Sequence, residues 1–258
     1  MNASPQSSHI VGPERLRLDL ALVERGLAQS RSRARDMLTR GCVTVDGTVI
    51  SKAGALVSAD VAITVDDPAS NYVSRAALKL LAGLAESGFD PNGRLCVDLG
   101  ASTGGFTQVL LERGAHEVIA VDVGHGQLHP SLANDARIAL HEGQNARSIT
   151  PDFFLTTPQA VVSDMSFISL RLAAEPTLRL AAMGAWAILL VKPQFELDPK
   201  AIGKGGLVSD PAQADAVAED LRLWLDALPG WRATGLLPSP VLGGDGNREF
   251  LLYGERDV

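Results

Sequence analysis

Short apolar runs alternate with longer helix-like segments through the middle of the chain. Runs of this length, bounded by glycine and polar residues, are typical of buried strands. Five of them stand at residues 95–98, 117–122, 138–140, 160–164 and 185–191. Helical spacing of apolar side chains follows at residues 107–113, 170–183 and 212–228. This order predicts βα units in a mostly parallel sheet, closed by a strand pair at residues 231–237 and 249–253.

The first quarter of the chain follows a different pattern. An amphipathic segment comes first, and Ser30 is placed to cap a second helix over residues 31–40. Two short apolar runs then flank Asp46 and Gly47, a pair that favours a two-residue hairpin turn. A strand at residues 62–65 completes a small α+β unit. We therefore expect a disordered tail at residues 1–14, a first domain at 15–66, a linker at 67–73 and a second domain at 74–258.

Composition narrows the class of protein. The chain of 258 residues is 46% hydrophobic and has a formal net charge of -7, which argues against a uniformly basic nucleic-acid binder. Its two cysteines, Cys42 and Cys96, are typical of reduced thiols rather than of a disulfide framework. The sequence has neither a secretory signal pattern nor an apolar run of about 20 residues. We therefore expect a cytoplasmic protein with no membrane partner and no metal.

A glycine-rich segment at residues 95–106, L-C-V-D-L-G-A-S-T-G-G-F, joins a predicted strand to a predicted helix. Such a junction lets a ligand approach the backbone and the N–H groups at the helix start. Its glycine spacing is neither the dinucleotide fingerprint nor a Walker loop, which disfavours a nicotinamide-dependent dehydrogenase. The segment resembles the S-adenosylmethionine loop of Rossmann-like methyltransferases, and a tight turn of another α/β domain is the alternative.

Further polar residues extend this candidate cofactor site. Asp122 ends the next predicted strand, where such folds hold a ribose hydroxyl, and Asn145 stands where they contact adenine. The predicted cofactor contacts are Asp98, Gly100, Ala101, Ser102, Thr103, Gly104, Gly105, Phe106, Asp122, Asn145 and Asp164.

Basic residues concentrate in the first domain although the whole chain is acidic. Side chains four positions apart on its second helix, such as Arg31 and Arg35, share a face. A local basic face indicates contacts with phosphate groups, and a solvated helix face is the alternative. The candidates for RNA contact are Arg17, Arg31, Arg33, Arg35, Arg40, Lys52 and Arg75.

The first domain resembles a known RNA-binding module. Its pattern R-L-D-x-x-L-x-x-x-G-L-x-x-S-R-S-x-A is followed by G-x-V-x-V-D-G and D-V-x-I-x-V. This order is similar to the S4 fold, which is named for a ribosomal small-subunit protein. The resemblance covers nearly all of residues 15–65 and implies that the domain binds RNA.

The full chain resembles the TlyA family of ribosomal RNA methyltransferases, which are also described as haemolysins. Their catalytic domain is similar to the FtsJ type of ribose 2′-O-methyltransferase. The matching motifs are S-R-x-A-x-K-L around Lys79, V-D-L-G-A-S-T-G-G-F-T at the glycine loop, S-D-M-S-F-I-S-L around Asp164, V-K-P-Q-F-E around Lys192 and G-N-x-E-F-L around Glu249. The resemblance implies a Rossmann-like α/β domain with a mostly parallel seven-stranded sheet. It also implies S-adenosylmethionine as donor and cytidine ribose 2′-hydroxyls of ribosomal RNA, in ribosomal subunits, as acceptors.

The resemblance further implies a catalytic tetrad of Lys79, Asp164, Lys192 and Glu249. Because a ribose hydroxyl is a poor nucleophile, the site must align it with the donor methyl group and help to remove its proton. Lys192 is the candidate base, Asp164 orients it, and Glu249 is a partner for Lys79 or for the ribose. Two other functions stay open, a non-enzymatic RNA-binding or ribosome-assembly factor and a pore-forming haemolysin. We expect a monomer, with a dimer as the alternative.

Overall fold

The computed structural model describes residues 15–203, 205–243 and 246–257, so the predicted tail at residues 1–14 lies outside the described residues. The chain divides into two compact units, with the boundary between Ser70 and Asn71. This boundary falls inside the stretch predicted as a linker. The first half of that stretch belongs to the first unit, because Asp67 is buried and forms ion pairs with Arg33 and Arg40.

The second half of the predicted linker is bound to the second unit. The side chain of Gln108 accepts a hydrogen bond from the backbone of Val73 and donates one to the carbonyl of Asn71, both at 2.9 Å. The polar composition of residues 67–73 therefore reflects hydrogen bonding to the two units rather than a long free connection.

The described part of the first unit contains two helices and five short strands. In chain order these are β1 (Arg15–Arg17), α1 (Leu18–Glu24), α2 (Arg31–Thr39), β2 (Val43–Val45), β3 (Thr48–Val49), β4 (Leu56–Ser58) and β5 (Ile63–Val65). An antiparallel sheet has the order β3-β2-β5, and β1 pairs with β4. Leu18, Leu22 and Leu38 are fully buried in the core of this unit. The predicted order of helices and hairpin is confirmed. The strands β1 and β4 were not predicted, because three residues are too few to show an alternation of apolar and polar side chains.

Local chemistry explains the boundaries of these elements. The hydroxyl of Ser30 accepts a hydrogen bond from the backbone of Arg33 at 3.2 Å, which confirms the predicted helix cap. Asp46 and Gly47 have φ angles of 44° and 79°, as a two-residue hairpin turn with both central residues at positive φ requires.

The described part of the second unit alternates helices and strands, as predicted. The elements are α3 (Ala77–Ser87), β6 (Leu95–Leu99), α4 (Gly105–Glu112), β7 (Glu117–Val121), β8 (Ile138–His141), β9 (Ala160–Ser163), α5 (Leu170–Leu180), β10 (Trp186–Val191), α6 (Pro211–Ala227), β11 (Trp231–Pro238) and β12 (Phe250–Arg256). They form a seven-stranded sheet in the order β11-β12-β10-β9-β6-β7-β8. The strands from β6 to β10 are parallel to their neighbours, and β12 runs antiparallel to β10 and β11.

Both faces of this sheet are covered, which explains the continuous apolar runs in its central strands. In β10, Leu189 packs with the residues of α5 and α6, while Ile188 packs on the other face with α3 and α4. The contact with α3 is close, because a Cβ atom at Gly83 would lie 2.9 Å from the Ile188 side chain. The helix that carries Lys79 is therefore fixed against the middle of the sheet.

The topology places several chain segments at one edge of the sheet. The carboxyl ends of β6, β9 and β10 meet there, as expected for parallel neighbours. Because β12 is antiparallel and Phe250 pairs with Val191, the residue before β12 lies at this same edge. None of the described helices is long and apolar enough to cross a membrane. Among the described residues, no group of three or more His, Cys, Asp or Glu side chains is placed to hold a metal ion.

Candidate active site

A cavity of about 160 Å³ opens at the edge where β6, β9 and β10 end. Its wall combines the glycine loop after β6, the turn before α3, the loop after β9 and the residue that follows β10. The predicted site residues that line it are Gly100, Ala101, Ser102, Thr103, Gly105, Phe106, Asp164 and Lys192. The structure therefore brings most of the predicted cofactor loop together with one of the two predicted catalytic lysines.

The glycine loop has a backbone that only small residues allow. Gly100 has a φ of 84°, and a Cβ atom there would lie 2.8 Å from the carbonyl oxygen of Asp164. Gly104 has a φ of 92°, and a Cβ atom there would lie 2.5 Å from the Leu132 side chain. These two glycines let the loop lie directly against the end of β9 and against the segment after β7.

Asp122 holds this loop and is not among the residues that line the cavity. One carboxylate oxygen accepts a hydrogen bond from the backbone of Ser102 at 2.8 Å, and the other accepts one from the backbone of Gly124 at 2.7 Å. The residue predicted to hold a ribose hydroxyl thus supports the backbone that lines the cavity. One carboxylate oxygen thus holds the glycine loop, and the other holds the turn after β7.

Asp98 is fully buried and does not line the cavity. The alternation of β6 turns it toward α4, where the hydroxyl of Thr107 donates a hydrogen bond to it at 2.7 Å. Burial raises the pKa of Asp98 to about 7, although the Thr107 hydrogen bond acts in the opposite direction. Asp98 therefore supports the start of α4, behind the glycine loop.

Two other predicted cofactor contacts also lie away from the cavity wall. Asn145 is exposed, and its side chain accepts a hydrogen bond at 3.0 Å from the backbone of Arg147, which caps a short 3₁₀ turn. Gly104 precedes α4 and packs toward Leu132 rather than the cavity. The pattern of apolar and polar residues does not show that these two residues lie away from the cavity while other residues of the glycine loop line it.

Lys192 and Asp164 form an ion pair of 2.6 Å at the cavity wall. They follow the neighbouring parallel strands β10 and β9, so their side chains reach the same edge. Lys192 also donates a hydrogen bond to the hydroxyl of Ser166 at 2.8 Å. Ser166 lines the cavity and is absent from the predicted site residues, although it stands two positions after Asp164 in a quoted motif.

Lys79 and Glu249 form a second ion pair, of 2.5 Å, between residues 170 positions apart in the chain. Their side chains are only 7% and 3% exposed, and neither lines the cavity. Since Phe250 pairs with Val191, the register places Glu249 opposite Lys192 at the strand ends. The four predicted catalytic residues are therefore two ion pairs at one sheet edge, one at the cavity and one buried.

The loop after β9 is anchored by a residue that sequence reasoning missed. The carboxylate of Glu196 accepts hydrogen bonds from the hydroxyl of Ser169 at 2.7 Å and from the backbone of Leu170 at 2.6 Å. It thereby caps α5 and joins the segment after β10 to the segment that carries Ser166. Phe167, which lies between Ser166 and Ser169, has a φ of 64° and a ring that is 90% exposed. Positive φ at a bulky residue is strained, and such strain is concentrated at functional sites.

The predicted RNA-contacting arginines of the first unit fall into two groups. Three of them surround Asp19, as the ion pairs of Arg17, Arg31 and Arg35 show. Hydrogen bonds from Arg17, and then from Arg31 and Arg35, hold the pKa of the Asp19 carboxyl well below its usual range, against the effect of burial. The other two, Arg33 and Arg40, pair with Asp67.

The two remaining basic candidates lie outside both groups. Lys52 is exposed in the segment before β4. Arg75 belongs to the second unit and stands just before α3.

The comparisons with known proteins agree with this architecture. The family model described as FtsJ-like methyltransferase matches residues 72–256, and the S4 domain model matches residues 16–63. The chain is 43% identical over 241 residues to the 16S/23S rRNA (cytidine-2'-O)-methyltransferase TlyA of Mycobacterium tuberculosis, across 93% of this chain and 89% of that protein. It is 37% identical over 242 residues to hemolysin A of Brachyspira hyodysenteriae, across 92% of this chain and 99% of that protein.

A solved structure is similar over nearly the whole chain. A protein of Streptococcus thermophilus that carries a provisional hemolysin label has a TM-score of 0.72 and 34% identity, across 95% of this chain and 90% of that chain. The chain therefore belongs to the family of S4- and FtsJ-domain proteins that includes TlyA and hemolysin A, and its second unit is an S-adenosylmethionine-dependent methyltransferase of the FtsJ-like type.

Proposed function

We propose that this methyltransferase acts on the ribose 2′-hydroxyl of cytidine in the ribosomal RNA of ribosomal subunits. The observation that carries the proposal is the 2.6 Å ion pair between Lys192 and Asp164 at a cavity walled by the glycine loop. The identity of 43% with a protein named for cytidine 2′-O-methylation of 16S and 23S rRNA supports the choice of acceptor. We expect the protein to act as a monomer, in the cytoplasm.

The cavity offers S-adenosylmethionine a wall of backbone at Gly100 and Ala101. The carboxylate of Asp164 lies at its border, paired with Lys192. The donor supplies a methyl group that is already activated by a positively charged sulfur. We assign Gly100, Ala101, Ser102, Thr103 and Gly105 to its binding, with Asp98 and Asp122 as supports of that wall.

The surroundings of Lys192 suit a group that accepts the proton of a hydroxyl. Asp164 and Ser166 occupy two directions around its amine, at 2.6 and 2.8 Å. Only the deprotonated amine has a lone pair, beside two N–H bonds, so a general base at this position must first lose its proton. A ribose hydroxyl bound in the cavity would lie beside this amine, within the reach that general base catalysis requires.

We assign the second ion pair to holding the site in shape. Lys79 lies on α3 and Glu249 precedes β12, so their contact joins the helix beside the cavity to the sheet edge. Because both side chains are buried, each charge depends on the other. The four residues of the tetrad that the resemblance implies thus have two roles. One pair meets the substrate, and the other pair supports the site from behind.

The first unit supplies the candidate contacts to RNA phosphates. We assign this role to Arg17, Arg31 and Arg35, which stay 44%, 49% and 55% exposed. Lys52 and Arg75 are further candidates. We assign Arg33 and Arg40, which are 21% and 14% exposed, to holding the segment around Asp67.

A methyl transfer assay tests the proposal. Purified protein is incubated with unmodified ribosomal subunits and donor labelled with tritium in its methyl group, and the RNA is then hydrolysed with alkali. Because a 2′-O-methyl group blocks alkaline cleavage at its own nucleotide, we expect the label in dinucleotides that resist hydrolysis. Subunits that were first methylated with unlabelled donor serve as the matched control and should take up no label. Label in mononucleotides, or no transfer to RNA, would contradict the proposal.

A further inference from the structure

The carboxylate of Asp19 is enclosed by arginine side chains. Arg17 donates two hydrogen bonds to it, at 3.0 and 3.1 Å, and Arg31 and Arg35 donate one each, at 3.1 and 3.2 Å. The Asp19 side chain has no exposed surface, whereas the three arginine side chains are 44%, 49% and 55% exposed. The acid is therefore hidden while the three cations still face solvent.

This arrangement produces a positive surface from a mixed set of charges. Three guanidinium groups share one carboxylate, so the cluster keeps an excess of two positive charges. A guanidinium carries five N–H donors, and Asp19 uses two of those of Arg17 and one each of Arg31 and Arg35. The remaining donors are available to an external acceptor such as a phosphate group.

The cluster also joins three separate elements. Arg17 ends β1, Asp19 lies in the first turn of α1, and Arg31 and Arg35 lie on α2. Arg17 packs over Gly54, where a Cβ atom would lie 3.2 Å from its Nη1 atom. An arginine free in solvent samples many rotamers, and contacts of this kind reduce the freedom that is lost when RNA binds.

We infer that Asp19 is a positioning residue for RNA binding, which arranges the guanidinium groups of Arg17, Arg31 and Arg35 as one phosphate-binding surface. This inference rests on the proposed function, in which the first unit binds RNA. It goes beyond that proposal because it states that an acidic residue, Asp19, strengthens the binding of RNA, which is itself negatively charged. The pair formed by Arg33 and Arg40 with Asp67 does not share this part, since those arginines are mostly covered.

The test uses two amide variants of the full-length protein, Asp19→Asn and, as the matched control, Glu24→Gln. Glu24 is an exposed acid at the end of the same helix. Each variant removes one negative charge, so charge alone predicts unchanged or tighter RNA binding for both. Positioning predicts that Asp19→Asn binds about tenfold more weakly and that its salt slope falls by about one to two, while Glu24→Gln stays within about twofold of the wild type.

Binding is measured as the fluorescence anisotropy of a labelled transcript of unmodified ribosomal RNA over a series of salt concentrations, with thermal unfolding followed in parallel. A folded Asp19→Asn variant that binds as tightly as the wild type would overturn the inference and leave the proposed function intact. A wild-type protein that does not bind the transcript would contradict RNA binding itself.

A second pair of variants carries the test if Asp19→Asn does not fold. Arg17→Lys keeps the charge but loses the fork that contacts both carboxylate oxygens, and Arg15→Lys is its control on the same strand. We expect Arg17→Lys to bind RNA about three- to tenfold more weakly than Arg15→Lys. Equal affinities of these two variants would overturn the inference.

Discussion

The two lysine–carboxylate pairs of the second unit have nearly equal lengths but different surroundings. The Lys79–Glu249 pair, at 2.5 Å, is buried behind the cavity, with 7% and 3% of the side chains exposed. The Lys192–Asp164 pair, at 2.6 Å, lines the cavity and is joined by the hydroxyl of Ser166. The difference teaches that surroundings, rather than pairing, decide whether a lysine can meet a substrate. We therefore assign proton removal to the pair at the cavity and support of the site to the buried pair.

The largest expected effect comes from removing the amine at the cavity. We expect Lys192→Ala to lower the rate of methyl transfer by about 10²- to 10⁴-fold, because general base catalysis contributes about that much. Donor affinity, measured by calorimetry, should stay close to that of the wild type. Lys200→Ala, in an exposed turn, is the control and should retain activity. Near-normal turnover of Lys192→Ala would break the comparison.

The buried pair should dominate stability instead. Lys79→Met leaves the carboxylate of Glu249 buried without its cation, and breaking such a pair costs about 3–5 kcal/mol. For a unit of this size we expect the melting temperature to fall by roughly 6–20 °C. The double variant Lys79→Met/Glu249→Leu should recover much of that loss, since it leaves no lone charge.

Lys192→Met provides the matched control for this stability experiment. Its pair lies at the open cavity, so we expect a clearly smaller fall in melting temperature, as followed by circular dichroism. Equal falls in melting temperature for Lys79→Met and Lys192→Met would contradict the assignment of stability to the buried pair.

The hydroxyl of Ser166 sharpens the comparison further. Ser166→Ala removes one of the contacts that direct the Lys192 amine, and a hydrogen bond of this kind is worth about 1 kcal/mol. We therefore expect kcat to fall about five- to tenfold, with KM and melting temperature little changed. Ser166→Thr keeps the hydroxyl and should restore most of the rate. A loss of rate in both variants alike would point to packing rather than to the hydroxyl.

Asp98 is another buried carboxyl group of the second unit, and its partner is a hydroxyl instead of a lysine. Burial raises its pKa to about 7, while an unfolded aspartate has a pKa of about 3.9. Between these values the folded state binds one more proton than the unfolded state. The contribution of Asp98 to the free energy of unfolding is therefore complete below about pH 4. It is lost as the pH rises toward about 7, by up to about 1.4 kcal/mol per pH unit.

The corresponding variant is Asp98→Asn, which cannot ionise. We expect the free energy of unfolding in urea to depend less on pH for this variant than for the wild type between about pH 4 and about pH 7. The same amide change at exposed Asp66 is the control and should leave the dependence unchanged. Parallel pH curves for wild type and Asp98→Asn would show that Asp98 does not carry the raised pKa.

Much of the fold could be predicted from the sequence because its signals are local. Apolar runs, the turn at Asp46 and Gly47, and the cap at Ser30 each depend on a few neighbouring residues. The convergence of Lys192 and Asp164 followed from one topological rule, since both residues end parallel strands.

The choice of partners could not be predicted in this way. The sequence left Lys79 and the ribose as alternative partners of Glu249. The Lys79–Glu249 contact joins residues 170 positions apart, so it depends on the final packing of α3 against the sheet. The sequence likewise does not show that Asp122 accepts a hydrogen bond from the backbone of Ser102. The same holds for Asp19, which a count of charges treats only as a weakening of the arginine cluster.

The most direct test of the central claim, that Lys192 removes the proton of a ribose hydroxyl, is nucleoside mass spectrometry of ribosomal RNA from unmodified subunits incubated with donor and protein. We predict 2′-O-methylcytidine with the wild type and with Lys200→Ala, and a rate of its formation about 10²- to 10⁴-fold lower with a folded Lys192→Ala protein that still binds the donor. A methyl group on a base, or 2′-O-methylcytidine at an undiminished level with Lys192→Ala, would contradict it.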